Sequence, residues 1–239
     1  ETAIAAVEVL TQAGYCVEIP DQHVCCGRPL YDHGFLDLAR SYLLRTLNLL
    51  APYLDAGTPA VILEPSCCSV FRDELPNLMP DSDAGKKLAE NSFTLAEFLS
   101  RSPNYVPSRL EAEVLLQEHC HAKSVLRGKE EGKILASMGV TLHVPEAGCC
   151  GMAGAFGYES DKYDVSVACA ERVLLPSVRA SAPSTLLVAD GFSCREQIEQ
   201  LSGRKTLHLA ELLHRAVIQP AVPESEPLHI ESPRPVVNR

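Results

Sequence analysis

The sequence predicts an α/β protein built from two pseudo-symmetric halves, each a small and mainly parallel βαβ sheet with flanking helices. Two observations predict this class. Short, β-branched apolar runs alternate with longer segments of helical period along the 239 residues, as in parallel sheets with helical crossovers. The same order of motifs then occurs twice, which indicates an internal duplication. With 46% apolar side chains, the chain can bury one sizeable core or two smaller cores that share an interface.

The duplication is clearest around two pairs of adjacent cysteines. The segment "AVEVLTQAGYCVEIPDQHVCCGRPL", from Ala6, aligns with "EGKILASMGVTLHVPEAGCCGMAG", from Glu131. Downstream, "AVILEPSCCSVFRDEL" aligns with "TLLVADGFSCREQIEQL", so that Cys67 falls on Cys194. Each half is therefore expected to run helix, strand, paired cysteines, helix, strand, a further cysteine and helix.

The elements follow from local periodicity. Leucines three to seven residues apart predict a helix in the first half, and a similar apolar face predicts one in the second half; these faces contain Leu36, Leu43, Leu47 and Leu50, and Val165, Ala168, Val173 and Leu174. The runs "AVIL" at 60–63 and "TLLVA" at 185–189 have the length of strands. A further strand is expected to end at His119-Cys120-His121.

Three regions follow from this order. The first half comprises residues 1–112 and carries an insert at 75–92, which we expect to be a surface excursion. The second half comprises residues 113–218. Residues 219–239 contain five prolines and no apolar period, so a disordered tail is expected. The counterpart of Cys120 would fall before Glu1, and the sequence is therefore expected to be a fragment from the C-terminal part of a longer protein.

Charge and hydropathy argue against a nucleic-acid partner and against a membrane-spanning segment. A formal charge of −10 and a pI near 5.3 argue against a nucleic-acid-binding surface, which needs clustered Lys and Arg. No apolar run approaches the eighteen or so residues that cross a bilayer. A cytoplasmic location is expected, with membrane contact at most peripheral, at the inner face.

Ten cysteines are many for this length, and six of them form adjacent pairs. Disulfide scaffolds are usually short secreted chains with separated cysteines, so a disulfide framework is disfavoured here. Cys16 and Cys169 lie outside the repeated motifs on apolar faces, where free cysteine behaves as a small hydrophobe. Both are predicted to be core residues.

The second half offers four cysteines that follow three strand-like runs, namely Cys120, Cys149, Cys150 and Cys194. The carboxyl ends of parallel strands meet at one edge of a sheet, so these thiols should lie together. Four thiolates suit Zn(II) or an iron–sulfur cluster. Adjacent cysteines reach different metal atoms of one cluster more easily than they chelate a single ion, and a vicinal disulfide is a further, rarer alternative.

Other residues near the cysteines have roles that can be stated. Gly148, Gly151 and Gly154 would let the backbone turn tightly and bring amide N–H groups toward sulfur; an ordinary turn is the alternative. His119 and His121 flank Cys120 as second-shell donors or ligands, although a histidine that only satisfies a backbone group is the commoner case. Charged residues expected near the same edge, in either a charge-offsetting or a solvated role, are Glu64, Arg72, Asp190 and Arg195.

The cysteine pattern resembles the cysteine-rich CCG domain, which is found in heterodisulfide reductase, in the iron–sulfur component of glycolate oxidase and in anaerobic glycerol-3-phosphate dehydrogenase. The motifs "CCGRPL", "LEPSC", "HCHAK", "GCCGMAGAFGYE" and "VADGFSCREQI" carry the resemblance, from about residue 5 to about residue 215. They are most similar to the C-terminal region of fused flavin and iron–sulfur D-2-hydroxyacid dehydrogenases of the D-lactate type.

The resemblance implies a 4Fe-4S cluster, of cubane or non-cubane form, on the four second-half cysteines. The family motif ends in CxxC, whereas this sequence has only Ser193-Cys194 there. The first half offers Cys25, Cys26, Cys67 and Cys68 as a tentative second site, without a leading cysteine. That site is expected to hold metal weakly, to hold zinc, or to hold nothing.

The resemblance also implies the function. Electrons would pass from FAD in an upstream domain, through the cluster, to an external quinone, cytochrome or flavoprotein, with ferredoxin-like domains or subunits as further partners. This region alone is not expected to oxidise the hydroxyacid. Two alternatives remain: a disulfide or thiol reductase of the heterodisulfide reductase type, and a zinc-bound scaffold without a redox role.

Overall fold

A computed structural model describes residues 1–218, which form two parallel sheets flanked by helices. The predicted α/β class with small parallel sheets in both halves is confirmed. The tail predicted at 219–239 lies outside the described residues. Within residues 1–218, no helix has both the length and the apolar character that a membrane span requires.

The first half contains a two-stranded sheet. Its β1 and β2 run parallel, with Ala60 opposite Ser92. In chain order its elements are α1 (Thr2–Gln12), α2 (Arg28–Asp32), α3 (Leu36–Asp55), β1 (Ala60–Ile62), α4 (Pro65–Ser69), a π-helical turn (Val70–Glu74), α5 (Leu75–Leu78), α6 (Asp83–Asn91), β2 (Ser92–Thr94) and α7 (Leu95–Arg101).

The second half contains a four-stranded sheet with the order β4-β3-β5-β6, and all of its neighbouring strands are parallel. Crossover helices connect the strands, as parallel pairing requires. Its elements are β3 (Glu113–Leu116), a π-helical turn (Ala122–Leu126), α8 (Glu130–Ser137), β4 (Thr141–His143), a 3₁₀ turn (Phe156–Tyr158), α9 (Tyr163–Glu171), α10 (Leu174–Ala180), β5 (Leu186–Val188), α11 (Phe192–Ser202), β6 (Thr206–Leu207) and α12 (Leu209–Ile218).

The prediction of a strand before Cys25 and Cys26 is wrong, because residues 15–20 join no sheet in the described part of the chain. In the second half the corresponding strand, β4, lies at the sheet edge and pairs with β3. No strand of residues 1–112 corresponds to β3, so residues 15–20 have no partner strand for their backbone hydrogen bonds. Cys16 is exposed as a result, and its predicted core position is also wrong.

The central core joins the two halves. Leu95 and Leu99 of α7 pack in one cluster with Leu116 of β3, Leu135 of α8 and Leu212 of α12, and each of these side chains is almost fully buried. Burial of a leucine side chain stabilises a fold by about 1.5–3 kcal/mol. The halves therefore share one core, and the boundary at 112 stays a prediction.

The insert at 75–92 is not the surface excursion that the sequence predicts. It folds into α5 and α6, and Leu75 and Leu88 are fully buried. Both belong to the same cluster as Leu43 and Leu47 of α3. This cluster is the local core of the first half and fixes α3 against the π-helical turn that follows the cysteines of α4.

Candidate metal centre

The four second-half cysteines come together at the carboxyl edge of the larger sheet. Cys120 follows β3, Cys149 and Cys150 follow β4, and Cys194 lies in the first turn of α11, after β5. Neighbouring thiols lie close enough to change each other's pKa, Cys120 with Cys149, Cys149 with Cys150, and Cys150 with Cys194. We call this group the four-thiol site. The structure thus gathers the four residues that the sequence selects; that they bind metal stays a prediction.

The contacts determine which thiol ionises first. Hydrogen bonds from Cys120 and then from Cys150 stabilise the Cys149 thiolate and lower its pKa. The same hydrogen bonds raise the pKa values of Cys120 and Cys150, and burial raises both further. The Cys149 thiolate therefore accepts hydrogen bonds from two neighbouring thiols. Four thiolates in this partly buried space would need a cation to offset their charge.

Gly151 shapes the loop that carries the cysteine pair. Its φ of 94° lies in the left-handed region, and a Cβ there would stand 2.0 Å from the Ser166 carbonyl oxygen, so only glycine fits. Its backbone N–H donates to the Cys149 sulfur at 3.3 Å, as the sequence predicts. The repeat has the same feature, because the N–H of Gly27 donates to the Cys25 sulfur at 3.5 Å.

His119 and His121 lie beside the four-thiol site. The Nδ1 atom of His119 accepts a hydrogen bond from the His121 backbone N–H at 3.2 Å, so this ring satisfies a backbone group, the alternative the sequence left open. Burial lowers the pKa of both histidines, and Cys149 is among the charges that act on His119. Both rings are therefore held neutral near the thiols.

A cavity of about 440 Å³ opens onto the four-thiol site between the two halves. Second-half residues on its wall include Cys120, Cys149 and Cys150, and first-half residues include Arg28 and Ser66. Arg28 is fixed from several sides: its guanidinium lies 2.6 Å from Glu74 and donates to the Ser66 carbonyl oxygen at 3.1 Å. The sequence reasoning missed Arg28, although its place directly after Cys25-Cys26-Gly27 is a signal.

The first-half cysteines form a smaller group. The sulfur atoms of Cys26 and Cys67 are 2.8 Å apart, and Cys25 lies near enough for its charge to act on Cys67. Cys68 is directed elsewhere: its thiol contacts Arg72, and burial raises its pKa to about 11. The structure therefore brings together three of the four cysteines of the tentative second site and leaves Cys68 out.

Comparison with known proteins agrees with this arrangement. Residues 1–71 match the profile of the cysteine-rich CCG domain, a segment that ends just after Cys67 and Cys68. In the CCG segment the adjacent pair Cys25-Cys26 and the downstream Cys67 are the residues that the structure places together.

Three relatives are similar to the chain beyond residue 71 as well. The chain is 26% identical to D-2-hydroxyglutarate dehydrogenase of Pseudomonas putida, over 78% of the chain and 18% of that protein. It is 26% identical to lactate utilization protein A of Bacillus subtilis, over 88% of the chain and 91% of that protein. It is 25% identical to a component of the anaerobic glycerol-3-phosphate dehydrogenase of Escherichia coli, over 88% of the chain and 54% of that component.

The donor set of the four-thiol site suits a soft metal. All four groups of the four-thiol site are sulfur, and one of them already receives a backbone N–H, a hydrogen bond typical of cluster sites. In residues 1–218, no three His, Cys, Asp or Glu side chains converge as around one bound metal ion. Thiolates on one tetrahedral zinc lie about 3.8 Å apart, so the Cys26 and Cys67 sulfur atoms, at 2.8 Å, would have to separate.

Both arginines that the sequence places near this edge are engaged with other groups. Arg72 pairs with Glu97 at 2.7 Å. Arg195 donates to the carbonyl oxygens of Ala189 and Asp190, at the end of β5. Glu64 is different, because it accepts a hydrogen bond from the second half that the sequence does not predict.

Proposed function

We propose that this chain is the iron–sulfur electron-transfer region of a flavin-dependent D-2-hydroxyacid dehydrogenase of the D-lactate or glycolate type. The observation that carries the proposal is the four-thiol site, in which three strand ends bring Cys120, Cys149, Cys150 and Cys194 close enough for neighbouring thiols to change each other's pKa. Relatives named for lactate utilization and for D-2-hydroxyglutarate dehydrogenation support the reaction class.

The four cysteines would hold a 4Fe-4S cluster, which supplies one-electron transfer when bound. Adjacent Cys149 and Cys150 have different partners, Cys120 on one side and Cys194 on the other. This division supports ligation of different metal atoms within one polynuclear centre, of cubane or non-cubane form. The N–H of Gly151 beside the Cys149 sulfur would raise the reduction potential.

The partners follow from the same reaction. Oxidation of a hydroxyacid releases two electrons, so FAD in an upstream domain would accept them and pass them on singly. Upstream ferredoxin-like domains or subunits would act as relays, and a quinone, cytochrome or flavoprotein would be the final acceptor. The chain spans 18% of one dehydrogenase relative and 54% of another, which is compatible with these further parts. We propose a cytoplasmic location, peripheral at most at the inner membrane face.

For the first half we propose at most a weak or zinc-bound second site. Cys25, Cys26 and Cys67 supply three thiols. Cys68 is a poor fourth ligand, because its thiol is fully buried and contacts Arg72. A zinc-bound first half would scaffold the electron-transfer region without taking part in redox chemistry.

A second candidate is reduction of a disulfide or thiol substrate at the cluster, the chemistry of heterodisulfide reductase. The cavity of about 440 Å³ against Cys120, Cys149 and Cys150 favours it, because such chemistry needs a substrate cleft beside the metal. Electron transfer alone does not require this opening.

Metal analysis distinguishes these possibilities. The protein would be purified anaerobically, its iron, sulfide and zinc counted per chain, and its EPR spectrum recorded before and after reduction by dithionite. We expect iron and sulfide in equal amounts and a signal that changes on reduction. A colourless protein with stoichiometric zinc and no sulfide would refute both the electron-transfer and the reductase proposals. A spectrum that changes on addition of a disulfide would favour the reductase.

A further inference from the structure

We propose that Glu64, a first-half residue, is a positioning residue for the second-half metal centre. The inference rests on the proposed function for the identity of that centre. Glu64 closely follows β1 and its side chain is only partly buried, so the sequence alone suggests a solvated carboxylate. Its contacts are instead distributed over both halves of the molecule.

The carboxylate of Glu64 fixes the starts of two cysteine-bearing helices. One oxygen, Oε1, accepts hydrogen bonds from the Ser66 backbone N–H at 3.2 Å and the Ser66 hydroxyl at 2.8 Å, at the first turn of α4. The other oxygen, Oε2, accepts from the backbone N–H of Phe192 at 2.7 Å. Phe192 begins α11, two residues before Cys194. A single carboxylate therefore joins the helix of Cys67 to the helix of Cys194.

The same carboxylate faces the residue that precedes Cys120. Oε1 of Glu64 is 3.9 Å from Nε2 of His119, while the other ring nitrogen accepts from the His121 backbone. Gly191 packs against the same edge of the His119 ring, because a Cβ on Gly191 would stand 2.1 Å from Cδ2 and 2.8 Å from Nε2. Glu64 and Gly191 thus border one edge of the His119 ring, and the His121 N–H holds Nδ1 on another, next to the four-thiol site.

A second contact between the two halves involves Leu63, the residue before Glu64. The carbonyl oxygen of Leu63 accepts from Nε2 of His208, at 2.8 Å, across the halves. His208 is buried beside Asp190, at the end of the second sheet. A helix cap alone explains the Ser66 contacts, but it does not explain the contacts with Phe192 and His119. These two make Glu64 a group whose charge and shape should influence the second-half centre.

The test compares Glu64→Gln and Glu64→Ala with Glu146→Gln. Glu146 lies three residues before Cys149 and its side chain reaches solvent, so its variant removes one carboxylate charge near the site without a described contact. Two properties would be measured: the reduction potential and EPR spectrum of the bound centre, and the hydrogen exchange of the Phe192 amide in metal-free protein. The amide measurement needs no metal.

We expect Glu64→Gln to move the reduction potential to a more positive value, because reduction adds negative charge beside the lost carboxylate. The shift in Glu146→Gln should be less than half as large, since solvent screens that charge. In Glu64→Ala the Phe192 amide should exchange on the order of tenfold faster and the EPR lines should change. If Glu64→Ala does not fold, the reduction potential and the Phe192 amide exchange rate of Glu64→Gln still test the inference.

Two results would overturn the inference: a potential shift in Glu64→Gln no larger than that in Glu146→Gln, or an unchanged Phe192 exchange rate in the Glu64 variants. Absence of iron from the wild-type protein would overturn the proposed function instead. In that case the amide exchange would still decide whether Glu64 fixes the start of α11.

Discussion

The two halves carry the same cysteine arrangement at different degrees of completeness. In the second half, Cys150 touches Cys194, and the N–H of Gly151 donates to Cys149. In the first half, the matching residues make the matching contacts: Cys26 touches Cys67, and the N–H of Gly27 donates to Cys25. The repeated pairs therefore adopt a common local geometry even though the sheets beneath them have four strands and two.

The difference lies in one strand. In the second half β3 pairs with β4 and leads into Cys120, which contacts Cys149. Among the described residues 1–112 no strand corresponds to β3, and within that range residues 15–20 have no sheet partner. In the second half one strand thus supplies both a sheet partner for β4 and a thiol near Cys149, whereas three thiols gather among the described residues of the first half.

The largest effect is expected from Cys150→Ser. This residue lies in the middle of the four-thiol contacts, so its loss should abolish the cluster and reduce iron and sulfide to background. Absorbance and metal analysis of the anaerobic protein measure it. The control is Cys16→Ser, at an exposed position outside both sites, which should retain full iron content. An unchanged EPR spectrum in Cys150→Ser would refute the ligand assignment.

Glycine substitutions compare the backbones of the two sites. Gly151→Ala combines left-handed strain with a 2.0 Å clash against backbone, and should lower the free energy of unfolding by about 3 kcal/mol or more. Gly27→Ala meets its nearest atom at 3.5 Å, so strain alone should cost about 1–2 kcal/mol. Urea denaturation measures both. The control is Gly148→Ala, since a Cβ at Gly148 meets no atom within 4 Å. Equal losses of unfolding free energy in Gly151→Ala and Gly27→Ala, or a loss in Gly148→Ala as large as that in Gly151→Ala, would contradict this account.

Thiol reactivity tests the electrostatics of the complete site. In metal-free protein the lowered pKa of Cys149 keeps it a thiolate below neutral pH, whereas the raised pKa of Cys120 keeps that thiol protonated. Iodoacetamide at a mildly acidic pH of about 6.5 should therefore modify Cys149 on the order of tenfold faster than Cys120. The rate at Cys120 should rise with pH while that at Cys149 stays nearly flat. Peptide mass spectrometry measures both, and earlier modification of Cys120 would contradict the assignment.

The smallest effect is expected from Cys68→Ala. Cys68 is fully buried and contacts Arg72 rather than the other thiols, so its removal should cost about 1 kcal/mol of unfolding free energy through the cavity left behind. Iron and zinc content should stay at the wild-type level. Loss of zinc in this variant would show that Cys68 is a ligand of the first-half site after all.

Much of this arrangement could be predicted from the sequence, because repeated patterns report local structure. Alternating strands and helices predict the parallel sheets, and the three strand ends predict that Cys120, Cys149 and Cys194 meet. The glycine after Cys149-Cys150 predicts the N–H donated to sulfur, which Gly151 supplies. These features depend on residues close in sequence or on the general topology of parallel sheets.

The rest depends on contacts between distant segments. Cys16 lies in an apolar pattern typical of a strand, but a strand forms only with a partner, which residues 15–20 do not have among the described residues. The insert at 75–92 is largely polar, so the sequence does not show that Leu75 and Leu88 are core residues. They become buried by packing in one cluster with residues of α3. From the sequence, Glu64 is expected to be solvated, because its hydrogen-bond donor Phe192 is 128 residues away along the chain.

The central claim is that the second half holds the cluster independently of the thiols in the first half. The most direct test is the iron and sulfide content and the dithionite-reduced EPR spectrum of a Cys26→Ser, Cys67→Ser double variant, measured beside the wild type. The account predicts that the cluster signal and its iron stay at the wild-type level, with loss only of any zinc. Disappearance of the signal, or loss of half of the iron, would contradict it.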